Sequence, residues 1–153
     1  MLNSEIEKIV RGYINSTLHL SLATVSNNRP WVCEVHFAYD KSLNLYFISK
    51  HSTRHAQEIF TNSNVAGNII KQHEKDELPA GIYFEGTATK IMASNAEVEL
   101  YSQGTGRDIE MVHHWLDDKQ NPSSMFRILV KNWAIFGNFD GKGMNKYQLG
   151  WSE

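Results

Sequence analysis

Two spacings of apolar residues alternate along the chain. Over residues 4–15, Ile6, Ile9, Val10, Tyr13 and Ile14 recur every three or four positions, as on one face of an α-helix, and Ser4 with Glu7 three residues on reads as a capping box. From 18 to 25 the run LHLSLATV has a strand pattern and ends in the turn sequence Ser26-Asn27-Asn28-Arg29-Pro30. Residues 31–39 (WVCEVHFAY) alternate in part, Asp40-Lys41-Ser42 turns the chain, and 43–49 (LNLYFIS) form a third strand, so a meander is expected. The segment STRHAQEIFTN then sets Ala56, Ile59 and Phe60 on one helical face, with Ser52 or Thr53 as the N-cap.

Residues 65–70 and 81–92 read as further strands on either side of the polar connection QHEKDELPAG. Residues 94–103 and 108–118 are helical in pattern, broken at Gly104 and Gly106 and separated from the next strand by Pro122. Strands at 126–136 and 147–151, joined by the turn-rich GNFDGKGMN, complete the set. Six or seven short antiparallel strands with flanking helices predict a mainly β fold. Closing the sheet into a small split barrel disposes of its exposed edges.

The length of 153 residues fits one domain over 1–153. Hydrophobic residues at 41% and charged residues at 21% place the chain among ordinary globular proteins and away from disorder. Fifteen Lys+Arg against 17 Asp+Glu leave a formal charge of −2, so no global field draws the protein to nucleic acid or an anionic membrane. An anion must therefore be held locally. The lone Cys33 excludes an internal disulfide and a multi-cysteine zinc site. With a charged amino-terminal segment, it leads to the expectation of a cytoplasmic protein.

The chemistry concentrates in residues 45–57, LYFISKHSTRHAQ, where a strand runs into a helix through hydroxyl, imidazole and guanidinium groups. Backbone N–H groups at the helix start, the hydroxyls of Ser49 and Thr53, and Arg54 would together cradle a phosphate, with Lys50 and the histidines adding positive charge. Local spacing fits equally a capped helix with a solvated arginine in its first turn. The seven histidines do not suggest a metal site: there is no HExxH, His113 and His114 diverge on a helix, and His51 and His55 flank a helix start with only Glu58 as a nearby acid. Cys33 among valines reads as an inert thiol, and the aromatic residues as barrel core.

The order of elements resembles that of the pyridoxamine 5′-phosphate oxidase-like FMN-binding split-barrel family. The resemblance rests on SLATV (21–25), PWVCEVHFAYD (30–40), LYFISK (45–50), the step Thr53-Arg54-His55, VAGN (65–68), GIYFEGTA (81–88) and the closing FRILVKNWAIFGNFDGKG. It implies FMN as cofactor, with Ser49, Lys50, Thr53, Arg54 and His55 at the phosphate and Val32, Cys33, Glu34 and Val35 along the ring. It also implies a homodimer with flavin at the interface, where Lys142, near Asn138 and Asp140, would reach the partner's flavin.

The vitamin B6 oxidases of that family carry a lysine at the end of the second strand and an Arg-x-His pair near the carboxyl end. Here Phe37-Ala38 and Asn145-Lys146-Tyr147-Gln148 stand instead, which argues against their substrate. The expectation is an FMN-dependent oxidoreductase acting on an unidentified small molecule, with no catalytic residue assigned. The alternative is a non-catalytic dimeric module holding FMN, haem or another planar ligand, and Lys146, Tyr101, Arg107 and His114 are the donors to look for over an exposed ring.

Overall fold

The computed structural model describes residues 1–150. In chain order the elements are α1 (Asn3–Ile14), β1 (His19–Ser26), β2 (Arg29–His36), β3 (Ala38–Tyr39), β4 (Leu45–Lys50), α2 (Arg54–Thr61), β5 (Asn64–Ile70), β6 (Gly81–Ile91), α3 (Asn95–Thr105), α4 (Ile109–Asp117), β7 (Ser123–Gly137) and β8 (Asn145–Gly150). The final strand expected at 147–151 begins two residues earlier, and Trp151 lies outside the described residues.

All strand pairings are antiparallel, in the order β2-β1-β5-β6-β7-β4-β3, with β8 also on β7. The two-residue β3 continues β2 past Phe37, so one stretch of chain stands at both ends of this order and curls the sheet into a barrel. Its first part pairs with β1 and its last with β4, and Phe37 between them donates its N–H to Leu18 O at 3.1 Å. The split arises at β7. One edge pairs with β6 from Met125 to Phe136, while the other is shared between β4, opposite 123–128, and β8, opposite 132–137. This is the mainly β split barrel that the pattern predicts, with seven full strands beside the short β3 among the described residues.

The β1–β2 turn is tighter than its sequence suggests. Ser26 already pairs with Arg29, leaving Asn27 and Asn28 as a two-residue loop with φ of 50° and 58°, the left-handed pair of a type I′ hairpin that asparagine tolerates. In α1 the cap sits nearer the amino end than expected. Glu5 accepts the Leu2 N–H at 2.7 Å, whereas Glu7 pairs with Arg11.

Two apolar clusters explain the nearly unbroken hydrophobic run of β4. Leu45 and Phe47 point into the barrel core with Leu20, Leu22, Phe126, Ile128 and Trp133, closed at one side by Ile6, Val10 and Ile14 of α1. Tyr46 points the other way, into a second cluster with Val98 and Tyr101 of α3, Val112 of α4 and Met125. Because β4 is covered on both faces, strand alternation is masked in its sequence.

Candidate cofactor site

The end of β4, the start of α2 and the free edge of β2 meet at one place. Ser49 and Ser124 are directly opposed across the β4–β7 ladder, two residues beyond the Phe47–Phe126 pair, whose rings stack at 5.0 Å. Ser49 Oγ lies 2.7 Å from His55 Nε2, and Ser124 Oγ lies 2.7 Å from His51 Nε2. Burial beside Phe47 lowers the His55 pKa from its ordinary value, so at neutral pH this ring is an uncharged link between β4 and α2.

Thr53 is the N-cap of α2, with extended backbone angles, but its hydroxyl turns back to donate to Lys50 O at 2.8 Å. The first helical bond is made by Gln57 N–H to Thr53 O, so the amides of Arg54, His55 and Ala56 precede the helical ladder. Arg54 donates from Nε to Glu58 Oε1 at 2.8 Å, and its Cζ lies 4.4 Å from the centroid of the Trp31 ring. Neither Nη group has a protein partner among the described residues. Glu58 is 8% exposed and also accepts from Thr24 Oγ1 at 2.5 Å. The Thr24 and Arg54 hydrogen bonds hold its pKa below the ordinary glutamate value.

β2 ends the hydrogen-bonded order, so alternate residues of Arg29–His36 direct N–H and C=O groups away from β1. The side chains of the expected quartet divide by alternation. Val35 is buried and Cys33 packs against the core, while Val32 and Glu34 are exposed. Cys33 has its thiol pKa pushed up to about 11 by burial, then by the nearby Glu34 and Glu58 carboxylates.

The structure therefore brings Cys33, Ser49, Lys50, Thr53, Arg54 and His55 to one corner. Lys142 lies elsewhere, in the β7–β8 turn beside Asp140, whose carboxylate accepts its N–H at 3.0 Å. Ser124 to Gly137 is thirteen residues along β7, roughly 40 Å of extended strand, so within one chain Lys142 does not serve this corner. Of the donors sought over a ring, Tyr101 is buried, and Arg107 reaches His36 Nδ1 at 3.4 Å.

Three members of the site were not assigned to it from sequence: Thr24, Glu58 and Ser124. Glu58 stands four residues after Arg54, a spacing that signals an ion pair on a helix. Thr24 and Ser124 join only through strand register. Next to His51 and Ser124 a cleft of about 500 Å³ opens between the end of β6, the start of α3 and the end of α4, with Lys90, His113 and Asp117 on its walls.

The donor set fits a phosphate ester. It offers amides at a helix start, an arginine with free terminal nitrogens and a neighbouring lysine. Among the described residues no group of three or more His, Cys, Asp or Glu is placed to hold a metal ion, and no helix is long and apolar enough to cross a membrane.

No family model matches the sequence. UPF0306 protein PM1958 of Pasteurella multocida is 28% identical over 113 residues, 73% of each chain. HutZ, the heme storage protein from Vibrio cholerae, superposes with a TM-score of 0.64 at 20% identity over 80% of this chain and 87% of its own. Campylobacter jejuni ChuZ gives 0.74 at 16% identity over 94% of this chain and 59% of its own. At these identities the structural likeness is one of fold. The chain has the fold of the split-barrel proteins.

Proposed function

We propose that the protein binds FMN at the junction of β2, β4 and α2 and uses it as an oxidoreductase on a small substrate. The observation that carries this reading is the pairing of two features in one corner: a cradle for a single phosphate and an unpaired strand edge. The isoalloxazine pyrimidine edge presents alternating carbonyl and N–H groups, which the free peptides of β2 complement. Lys50, Thr53, Arg54 and the α2 amides would hold the phosphate, and Cys33 with Trp31 would bound the ring site. Bound FMN would supply hydride or electron transfer at its ring. The adjoining cleft of about 500 Å³ has the size for a small-molecule substrate.

Two features support a homodimer. The outer sheet face carries small residues in cross-strand register, Ala66 beside Ala23 beside Val32, the last 60% exposed, which suits apposition to a second copy. The resemblance places Lys142 at a flavin, and its distance from the cradle of its own chain would make that flavin a partner's.

The second reading is a binding or storage module for haem, favoured by the likeness to the heme storage protein HutZ. Haem carries two carboxylates and takes an axial ligand, whereas both histidines nearest the cradle have Nε2 bonded to serine hydroxyls. The test is the visible spectrum of the purified protein after addition of FMN and gel filtration at dimer resolution. Retained flavin bands on a dimer are expected. A protein that retains no flavin bands but, when given haem, keeps a Soret band through gel filtration would replace the first reading with the second.

A further inference from the structure

We propose that Glu58, braced by Thr24, is the positioning residue that makes this site select a phosphorylated ligand, because it holds Arg54 by Nε and leaves both terminal nitrogens available to an anion. The inference rests on the phosphate-cradle reading and names what sets the specificity of that cradle.

Glu58 and Arg54 are four residues apart on α2, and both are fixed by a single cross-strand pair. Thr24 of β1 lies directly opposite Trp31 of β2. The Thr24 hydroxyl, 2% exposed, donates to Glu58 Oε2 at 2.5 Å, while the Trp31 ring takes the Arg54 guanidinium at 4.4 Å. Glu58 Oε1 in turn accepts Arg54 Nε at 2.8 Å. A guanidinium is planar, so a bond at Nε with its Cζ held over the Trp31 ring restricts where the terminal nitrogens can lie. Of its donors, only the Nη groups remain, and these suit a bidentate bond to phosphate.

Glu58 lies against an arginine already occupied, so its own charge partly offsets the cation there. A role in raising positive potential would therefore make Glu58 unfavourable for anion binding. A role in geometry makes it favourable as long as an oxygen acceptor is present. The neutral isostere separates the two: in Glu58→Gln the amide oxygen still accepts Arg54 Nε, whereas Glu58→Ala frees the guanidinium.

The experiment compares FMN with riboflavin, which lacks the phosphate, by flavin fluorescence quenching on the full chain. Wild type should bind FMN at least ~10-fold more tightly than riboflavin, the value of one charge-assisted hydrogen bond or more. Glu58→Ala should lose most of that ratio while keeping riboflavin affinity within about twofold, and Glu58→Gln should restore it. Riboflavin binding also reports whether Glu58→Ala still folds, and Thr24→Val, which removes the brace alone, should lower the ratio in the same direction. If wild type binds both flavins equally, the cradle reading itself fails. A wild-type preference that persists unchanged in Glu58→Ala, or one that is lost equally in Glu58→Gln, overturns the positioning role and leaves the cradle standing.

Discussion

Ser49 and Ser124 face each other across the β4–β7 ladder, and each hydroxyl is within 2.7 Å of a histidine Nε2. The Ser49 partner, His55, is half-buried against Phe47, and that burial lowers its pKa from the ordinary 6.5. The unfolded chain then takes up a proton at higher pH than the folded one, so stability falls as pH drops below about 6.5 and through the lower folded value. Replacing His55 by Gln removes this titration. Urea midpoints from pH 8 to pH 5 should show wild type losing its advantage over His55→Gln as the solution is acidified. Parallel curves for the two proteins would refute the buried neutral histidine.

Arg54→Ala should weaken FMN binding by about 1.5–3 kcal/mol, the usual worth of a hydrogen bond to a charged group, and leave riboflavin binding nearly unchanged. Lys50→Ala should cost less, because an exposed lysine acts as a screened point charge without a fixed geometry. Isothermal titration of both variants with both flavins checks the order. A larger loss in Lys50→Ala would move the phosphate away from the α2 start.

The barrel was legible because its strands are short, regularly spaced and bounded by turn residues, and the polar corner at the start of α2 was legible as a place because its residues are sequential, from Ser49 to His55. What stayed hidden depends on register. Thr24 meets Glu58, and Ser124 meets His51, only after β1 and β7 have been laid beside their neighbours, and no local spacing encodes those meetings. The quartet at residues 32–35 reads as one contiguous lining in sequence, yet strand alternation sends Cys33 and Val35 one way and Val32 and Glu34 the other. Lys142 is expected at a partner's flavin, and the length of β7 sets it far from the cradle of its own chain.

Cys33 should be slow to alkylate. A thiol pKa of about 11 against an ordinary 9.0 leaves roughly 100-fold less thiolate at pH 8, and the thiolate is the reactive form. Iodoacetamide labelling followed by mass spectrometry should give a rate near 1% of that of an unhindered cysteine peptide at pH 8, rising about tenfold per pH unit towards the thiol pKa. Labelling as fast as the peptide would overturn the raised thiol pKa. Bound FMN should slow the reaction further if the ring lies beside this strand.

The most direct test of the barrel itself is Gly86. β6 shifts register against β7 between Glu85 and Gly86, and there a Cβ on residue 86 would sit 2.2 Å from Leu129 O and 3.0 Å from Val130 Cα. Both contacts are backbone of the neighbouring strand, so no side-chain rotation relieves them, and relief requires β7 itself to shift between the segments paired with β4 (to residue 128) and with β8 (from residue 132). Gly86→Ala should therefore destabilise the fold by about 1–3 kcal/mol, the usual cost of forcing extra volume into a packed site. Gly12 offers the control, because a Cβ there meets nothing within 4 Å. Gly12→Ala on the α1 helix should be neutral or stabilising, by up to about 1 kcal/mol through helix propensity. Thermal melts of the two variants should thus move in opposite directions. A Gly86→Ala protein as stable as wild type would mean that the β6–β7 register at the bulge is not the one described.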